Sequence, residues 1–257
     1  MAYTNSSLVS YTKLSPNHSG QRTHSIDRIT PHCVVGQCSV ETLGSIFLPT
    51  SRQASCNYGI GVDGRVGMYV EEKNRSWCSS SSSNDQRAVT IECASDTTEP
   101  YAFKDVVYQK LITLCVDICK RNGKKKLLWF GDKDKTLSYE PKSDEMVLTV
   151  HRWFANKSCP GNWMYARMGD LAEKVTAQLG GSADTPTVTT QLYSVRKTWS
   201  DSKSQKGAYK ILSNAKKCAD ANPGYSVFDV NGVNIYTSNT TATEIPFLVK
   251  VSITDLN

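Results

Sequence analysis

Between residues 180 and 190 the chain loses every periodic signal. Gly180-Gly181-Ser182-Ala183-Asp184-Thr185-Pro186-Thr187-Val188-Thr189-Thr190 is small and polar, with a proline inside it. Such a stretch reads as a linker. It divides the 257 residues into a domain-sized part and a small one, and each must bury a core of its own. Residues 1–25 are polar and read as an extended arm wrapped on the domain or a frayed start. The expected organisation is therefore an arm at 1–25, a main domain at 26–179, a linker at 180–190 and a module at 191–257.

Within the main part, strand-like runs alternate with amphipathic helices. Ile26 to Gly36 reads as a buried strand with His32 near its end. Ser39 can cap a helix whose apolar face is Val40, Leu43, Ile46 and Phe47. Asn57 to Tyr69 is two strand-like runs around Asp63-Gly64, a strong hairpin signal. Ser79 to Ser83 reads as a serine loop, Arg87 to Cys93 as a strand, Phe103 to Arg121 as a helix and Leu127 to Phe130 as a strand. Met146 to His151 is an extended lead-in, and Trp163 to Leu179 a final amphipathic helix. Beyond the linker the spacing predicts a strand at 192–196, a helix at 206–221, and a closing pair of strands around Asn231-Gly232. This βαββ unit has no histidine and is small for an elaborate active site, so it suits a binding module.

His151 and Cys159 stand eight positions apart in Val150-His151-Arg152-Trp153-Phe154-Ala155-Asn156-Lys157-Ser158-Cys159-Pro160. Imidazole and thiolate are zinc ligands, and the intervening loop is long enough to fold both onto one ion. The chain has four histidines, so a third ligand must be sought among His18, His24 and His32. His32 is the best placed of them, at the end of a buried strand.

The nine cysteines are odd in number and lack recurring paired spacings, so reduced thiols are expected in place of a disulfide framework. Cys115 and Cys119 share the apolar face of one helix and read as core. A net charge of +6 favours anionic polymers, among them nucleic acid and the acidic wall polymers of bacteria, without choosing between them. Lys124-Lys125-Lys126 follows Asn122-Gly123 and reads as a solvated helix end. No run of eighteen apolar residues occurs, and the first residues lack a basic start and an apolar stretch. Neither membrane insertion nor a secretion signal is therefore expected.

Taken in order, Ile29-Thr30-Pro31-His32-Cys33, Asn57 to Val66, Ser76-Trp77-Cys78, Val89-Thr90-Ile91-Glu92 and His151 to Pro160 resemble the zinc-dependent N-acetylmuramoyl-L-alanine amidases of the peptidoglycan-recognition type. They are similar in particular to phage and prophage endolysins of Gram-positive bacteria. The tail resembles small wall-binding, SPOR-like modules. The resemblance implies an α/β fold, with a mixed central β-sheet flanked by helices and the small C-terminal βαββ module. It implies Zn2+ held by His32, His151 and Cys159, with Glu92 as general base, Lys157 stabilising the oxyanion, and Tyr58 approaching the zinc water. The substrate it implies is the amide between the lactyl group of N-acetylmuramic acid and L-alanine of the stem peptide. The partners would be peptidoglycan and anionic wall polymers, not nucleic acid. The chain would be made in the host cytoplasm and reach the wall after holin-type release. Cys33 and Cys78 depart from the pattern, standing where many members of the family carry further histidines.

Three alternatives compete. One is a papain-like cysteine wall hydrolase, with Cys33 or Cys93 as nucleophile and His151 as its base. Another is a non-catalytic peptidoglycan receptor, which would typically lack the cysteine ligand that Cys159 supplies. The third is a nucleic-acid-binding protein, suggested only by the charge.

Overall fold

The computed structural model describes residues 3–180, 192–209, 211–229 and 232–238. Its chain forms two compact units, Met1–Thr185 and Pro186–Asn257. The expected linker lies, apart from Gly180, outside the described residues.

The first half of the N-terminal unit runs β1 (Val9–Thr12), β2 (His18–Gln21), β3 (Arg28–Cys33), α1 (Val40–Phe47), β4 (Tyr58–Ile60), β5 (Val66–Met68) and β6 (Asn74–Ser76). There follow α2 (Ser82–Arg87), β7 (Ala88–Cys93), α3 (Asp105–Arg121), β8 (Lys126–Leu128), α4 (Lys133–Ser138), β9 (Glu145–Leu148), α5 (Gly161–Tyr165) and α6 (Met168–Gln178). Seven strands make one mixed sheet in the order β1-β5-β4-β7-β3-β9-β8, and β2 pairs separately with β6. The five from β4 to β8 across the sheet are mutually parallel, whereas β5 runs antiparallel to β4. This is the expected α/β architecture.

Local chemistry accounts for the elements. All six residues of β3 are buried, as are five of the six in β7, which is the pattern of central parallel strands covered on both faces. Helix α3 buries Val107, Leu111, Leu114, Cys115, Ile118 and Cys119 along one side, and together with Leu171 and Val175 of α6 these join the main core. A second, smaller core gathers Leu43 and Phe47 of α1 with Cys56 and Tyr69. Ser39 caps α1 through the Thr42 N–H. Gly64 takes a left-handed φ of +81° in the β4–β5 hairpin, where a side chain would strike Val106.

The two faces of the sheet are distinguished by register. Tyr58 lies opposite Ile91, and Gly59 opposite Glu92. A side chain at Gly59 would stand 2.7 Å from Leu43 and Tyr69, so this is the face that α1 covers. Glu92 is also opposite His32, and both project toward the same side. Tyr58 and Ile91 join the main core on the other face.

Several expectations are corrected, whereas the polar arm lies extended on the domain as one of its two readings has it, supplying β1, which extends the sheet alongside β5, and β2. Arg22, 4 % exposed, reaches into the protein, where its Nε donates to the Glu72 carbonyl and its Nη2 to Asn57 Oδ1. The serine run ends in a helix, because Ser81 accepts from the Asn84 N–H and starts α2. The last amphipathic stretch is two helices, with Ala166 closing α5 and Arg167 opening α6. Helix α4, capped by Asp132, was not anticipated.

The C-terminal unit runs β10 (Tyr193–Arg196), β11 (Gly207–Tyr209), α7 (Leu212–Asp220), β12 (Ser226–Phe228) and β13 (Asn234–Thr237), with its sheet in the order β11-β10-β12-β13. Among the described residues it is ββαββ, where βαββ was expected. Residues 207–209 pair with β10, so the helix expected from 206 begins only at Leu212. Val195, Ala215, Ala219 and Val227 form its core. Asn231 of the expected turn lies outside the described residues.

Candidate metal centre and catalytic cleft

The site is built at the carboxyl ends of the parallel strands, where open α/β sheets bind ligands. His32 is the penultimate residue of β3 and is 1 % exposed. His151 opens a single 3-10 turn just after β9. Cys159 returns at the end of the following loop, and the Arg152 N–H closes that loop on the Cys159 carbonyl at 3.1 Å. Arg152 also donates from Nη1 to Asn162 and from Nη2 to the Ser158 carbonyl, and lies over the Tyr165 ring at 4.6 Å. Gly161 carries the chain onward at φ +81°, with the Pro100 carbonyl 2.8 Å from where a Cβ would stand. The sequence spacing could not show this loop's second anchor, because it comes from a distant segment.

One donor atom from each of His32, His151 and Cys159 lies within 4.8 Å of the other two. Cys159 Sγ is 3.3 Å from His32 Nδ1, and the two imidazole centroids are 5.1 Å apart. His32, Cys78 and Glu92 form a second such group. It shares His32 with the first, so the two are competing arrangements. Glu92 Oε1 sits 4.0 Å from His32 Nδ1 and accepts from the Cys78 thiol at 3.9 Å. The Ser80 hydroxyl meets His151 Nε2 at 2.9 Å, and Ser80 holds a left-handed φ of 63° to do so.

Burial sets the electrostatics. It presses His32 well below the ordinary histidine range, helped by His151, and it lowers His151, helped by Lys157. Both rings are thereby held neutral with a lone pair available. Burial also raises the Cys159 thiol, with the hydrogen-bonded Cys33 thiol adding to it. Glu92 is pushed up to about 7 by burial, against the opposing pull of Arg52 and of the Cys78 hydrogen bond. Its side chain keeps 15 % of its surface open to the cleft.

Two buried atoms here, His32 Nε2 and Glu92 Oε2, have no hydrogen-bond partner among the described residues. Such orphans are costly in a core and ordinary in a site that an ion, water or substrate completes. Two neutral imidazoles and a thiol converging from three segments make a donor set suited to zinc with a position left for substrate or water. The residues present fit the metal.

The cleft over this centre holds about 570 Å³ and is lined by Cys33, Arg52, Cys78, Glu92, Lys157 and Cys159, among others. Lys157 is exposed at its rim. Tyr58 is not there, and the expectation that it approaches the zinc water is corrected. It is fully buried on the opposite face, where its hydroxyl donates to Glu72 Oε1 at 2.7 Å and accepts the Ser6 N–H at 2.9 Å. Cys93 also lies in the main core with no exposure, which leaves it no route to substrate as a nucleophile. Sequence reasoning missed Ser80, Arg52 and the thiol-to-carboxylate contact of Cys78. Only the serine run carried any local signal, and it read as a loop.

A family model described as N-acetylmuramoyl-L-alanine amidase matches residues 12–162. No curated protein matches the chain. Among solved structures, an AmpD derivative is similar at 17 % identity and a TM-score of 0.47, covering 67 % of this chain and 99 % of that one. The amidase LysC from Clostridium intestinale URNW is similar at 16 % identity and a TM-score of 0.42, with 68 % and 96 % covered. The Ph2119 endolysin from Thermus scotoductus MAT2119 bacteriophage Ph2119 is similar at 16 % and 0.39, with 65 % and 91 % covered.

Proposed function

Since the chain belongs to the N-acetylmuramoyl-L-alanine amidase family, we propose that it is an endolysin which hydrolyses the bond between the lactyl group of N-acetylmuramic acid and L-alanine of the stem peptide. The convergence of His32, His151 and Cys159 within 4.8 Å carries the zinc-dependent part of this reading. These three residues would hold the ion. When bound, zinc would lower the pKa of a coordinated water and polarise the scissile carbonyl.

The remaining work belongs to side chains of the cleft. Glu92, raised toward neutrality, is poised to take a proton from the attacking water and return it to the leaving amine. Lys157, at the rim, would donate to the oxyanion of the tetrahedral intermediate. Ser80 would orient His151 through its Nε2, and Cys78 would steady Glu92 through Oε1. Tyr58 takes no part.

In this reading residues 26–179, with the arm of residues 1–25, form the catalytic domain. The segment 180–190 is a tether, and the unit from 191 onward holds the enzyme on the wall, where its substrate cannot diffuse. Basic side chains over aromatic rings in that unit, such as Arg196 on Trp199 and Lys206 on Tyr225, suit an anionic wall polymer. A phage protein released through a holin is the biological setting that such a lysin implies.

The test is anomalous X-ray scattering at the zinc edge, paired with chelation of the purified protein. An ion bound by His32, His151 and Cys159, with release of N-terminal L-alanine lost on chelation and regained with zinc, is the expected result. Activity that survives chelation but falls to alkylation of Cys33 would replace this reading with a thiol mechanism.

A further inference from the structure

A second cleft, of about 660 Å³, opens beside the catalytic one. Ser80, Ser81 and Ser82 line both, so the two adjoin at the serine run. The second is lined by Arg28, Arg87 and Lys133 and by no carboxylate. Trp153 makes part of its wall and is held rigid by stacking on Trp129 at 5.0 Å, with the rings 1° from parallel.

The three cations are not equivalent. Arg87 is committed to Asp27, with its Nε at 2.9 Å and its Nη2 at 2.6 Å, and touches the exposed Glu140 at 3.4 Å. Lys133 is exposed at the head of α4. Arg28 is 5 % exposed, and the one side-chain hydrogen bond it makes among the described residues is a long 3.4 Å contact from Nη1 to Asn84 Oδ1. That oxygen already accepts from Thr149 at 3.1 Å. Arg28 Nε is buried with no hydrogen-bond partner among the described residues. Burial and the neighbouring Arg87 press the guanidinium's pKa down, against the opposing pull of Asp27 and Glu140. Buried charges are ordinarily paired, and this one lines a cleft with no carboxylate in direct contact among the described residues, Asp27 being held by Arg87.

We propose that this cleft is a carboxylate subsite, in which Arg28 and Lys133 hold an ionised carboxylate of the stem peptide while the amide to be cleaved lies at the metal centre. The inference rests on the functional reading above. Of the two sides of that amide, the peptide carries ionised groups, whereas the glycan is neutral once its lactyl carboxyl is amidated. A cationic cleft next to the scissile position therefore selects the peptide side. Arg28 supplies the planar donor fork that matches a carboxylate.

The experiment compares two soluble muramoyl-peptides on the full chain, one with free stem carboxylates and one with the same groups converted to primary amides. The free form is expected to show a KM lower by about tenfold, the usual size of a charge-assisted pair. Arg28→Gln should remove that difference by raising KM for the free form alone, with kcat held for both. Lys133→Gln, at an exposed position, should shift KM the same way by less. Equal KM values in the unmodified protein, or equal losses on both substrates in Arg28→Gln, would overturn the subsite. Titration of the free stem peptide and of inorganic phosphate gives a second readout. Peptide binding that depends on Arg28 supports the proposal, and tighter binding of phosphate sinks it. Should neither substrate be hydrolysed, the amidase reading fails, while the titration still decides the subsite.

Discussion

Tyr58→Phe separates a structural hydroxyl from a catalytic one. The hydroxyl lies in the core, donating to Glu72 Oε1 at 2.7 Å and accepting the Ser6 N–H at 2.9 Å. Glu72 is itself 1 % exposed and is gripped by Arg121, whose Nη1 reaches Oε2 at 2.9 Å and whose Nη2 reaches Oε1 at 2.5 Å. A hydrogen bond to a charged acceptor is worth about 1.5–3 kcal/mol, and a buried N–H left without an acceptor costs about 1–3 kcal/mol. Arg121 stays on Glu72 and water can reach Ser6 once the arm loosens, so the sum should fall near the lower bound, about 2–3 kcal/mol. For a unit of this size that is a fall in Tm of roughly 5–10 °C. The assay is denaturant unfolding alongside release of N-terminal L-alanine from purified wall, with rates normalised to folded protein. We expect the stability loss together with kcat/KM within about twofold of the parent. A hundredfold loss of kcat with stability unchanged would refute the placement of Tyr58 on the far face and return it to the cleft.

Three further outcomes follow from the same geometry. Glu92→Gln should retain the metal, measured by elemental analysis, and lose kcat by about 10²–10⁴-fold; unchanged L-alanine release would remove Glu92 from the mechanism. In metal-stripped protein the Glu92 carboxyl, raised by burial to about 7, lies above its unfolded value near ~4.3. The native state then holds the extra proton between those values, so this residue's contribution is greatest below pH ~4.3, declines as pH rises to about 7 and is level above it, at no more than about 1.4 kcal/mol per pH unit. Parallel unfolding series on the stripped parent and on Glu92→Gln should diverge in that window alone, and identical pH slopes would contradict the burial of the carboxylate. Asn57→Ala should cost about 3–5 kcal/mol, because Asn57 Oδ1 accepts from Arg22 and the Thr90 N–H while its Nδ2 serves the carbonyls of Val70, Glu71 and Asn74; a midpoint shift equivalent to less than about 1 kcal/mol would show that water replaces the network.

What the amino-acid order disclosed was the part written in local periodicity. The helix face from Val107 to Cys119, the Asp63-Gly64 hairpin, the Ser39 cap and the apolar runs of β3 and β7 each follow from neighbours a few residues apart. The donor atoms His32, His151 and Cys159 could be singled out by residue type and by resemblance. Their mutual distance, by contrast, depends on β3 and β9 being neighbours in the sheet. Tyr58 was misplaced for the same reason. A strand sends alternate residues to opposite faces, and which of Tyr58 and Gly59 shares a face with Glu92 is decided by a one-residue choice of register against β7. Helix α2 was hidden because serine is a poor helix former whose hydroxyl nevertheless makes a good cap. Strand β11 was hidden inside a helical period that its pairing with β10 overrides.

The arm changes what can be exchanged between amidases of this family. The family match begins at residue 12 and ends at 162, yet β1 starts at Val9, Ser6 is tied to Tyr58, and Leu171 and Val175 of α6 seal the main core. A chimaera spliced at the limits of recognisable kinship would expose the flank of β5 as a template for other chains. It would also strip apolar cover from the sheet. The transferable module is therefore wider than the recognisable one, and grafts that respect only the latter should precipitate before their specificity can be measured.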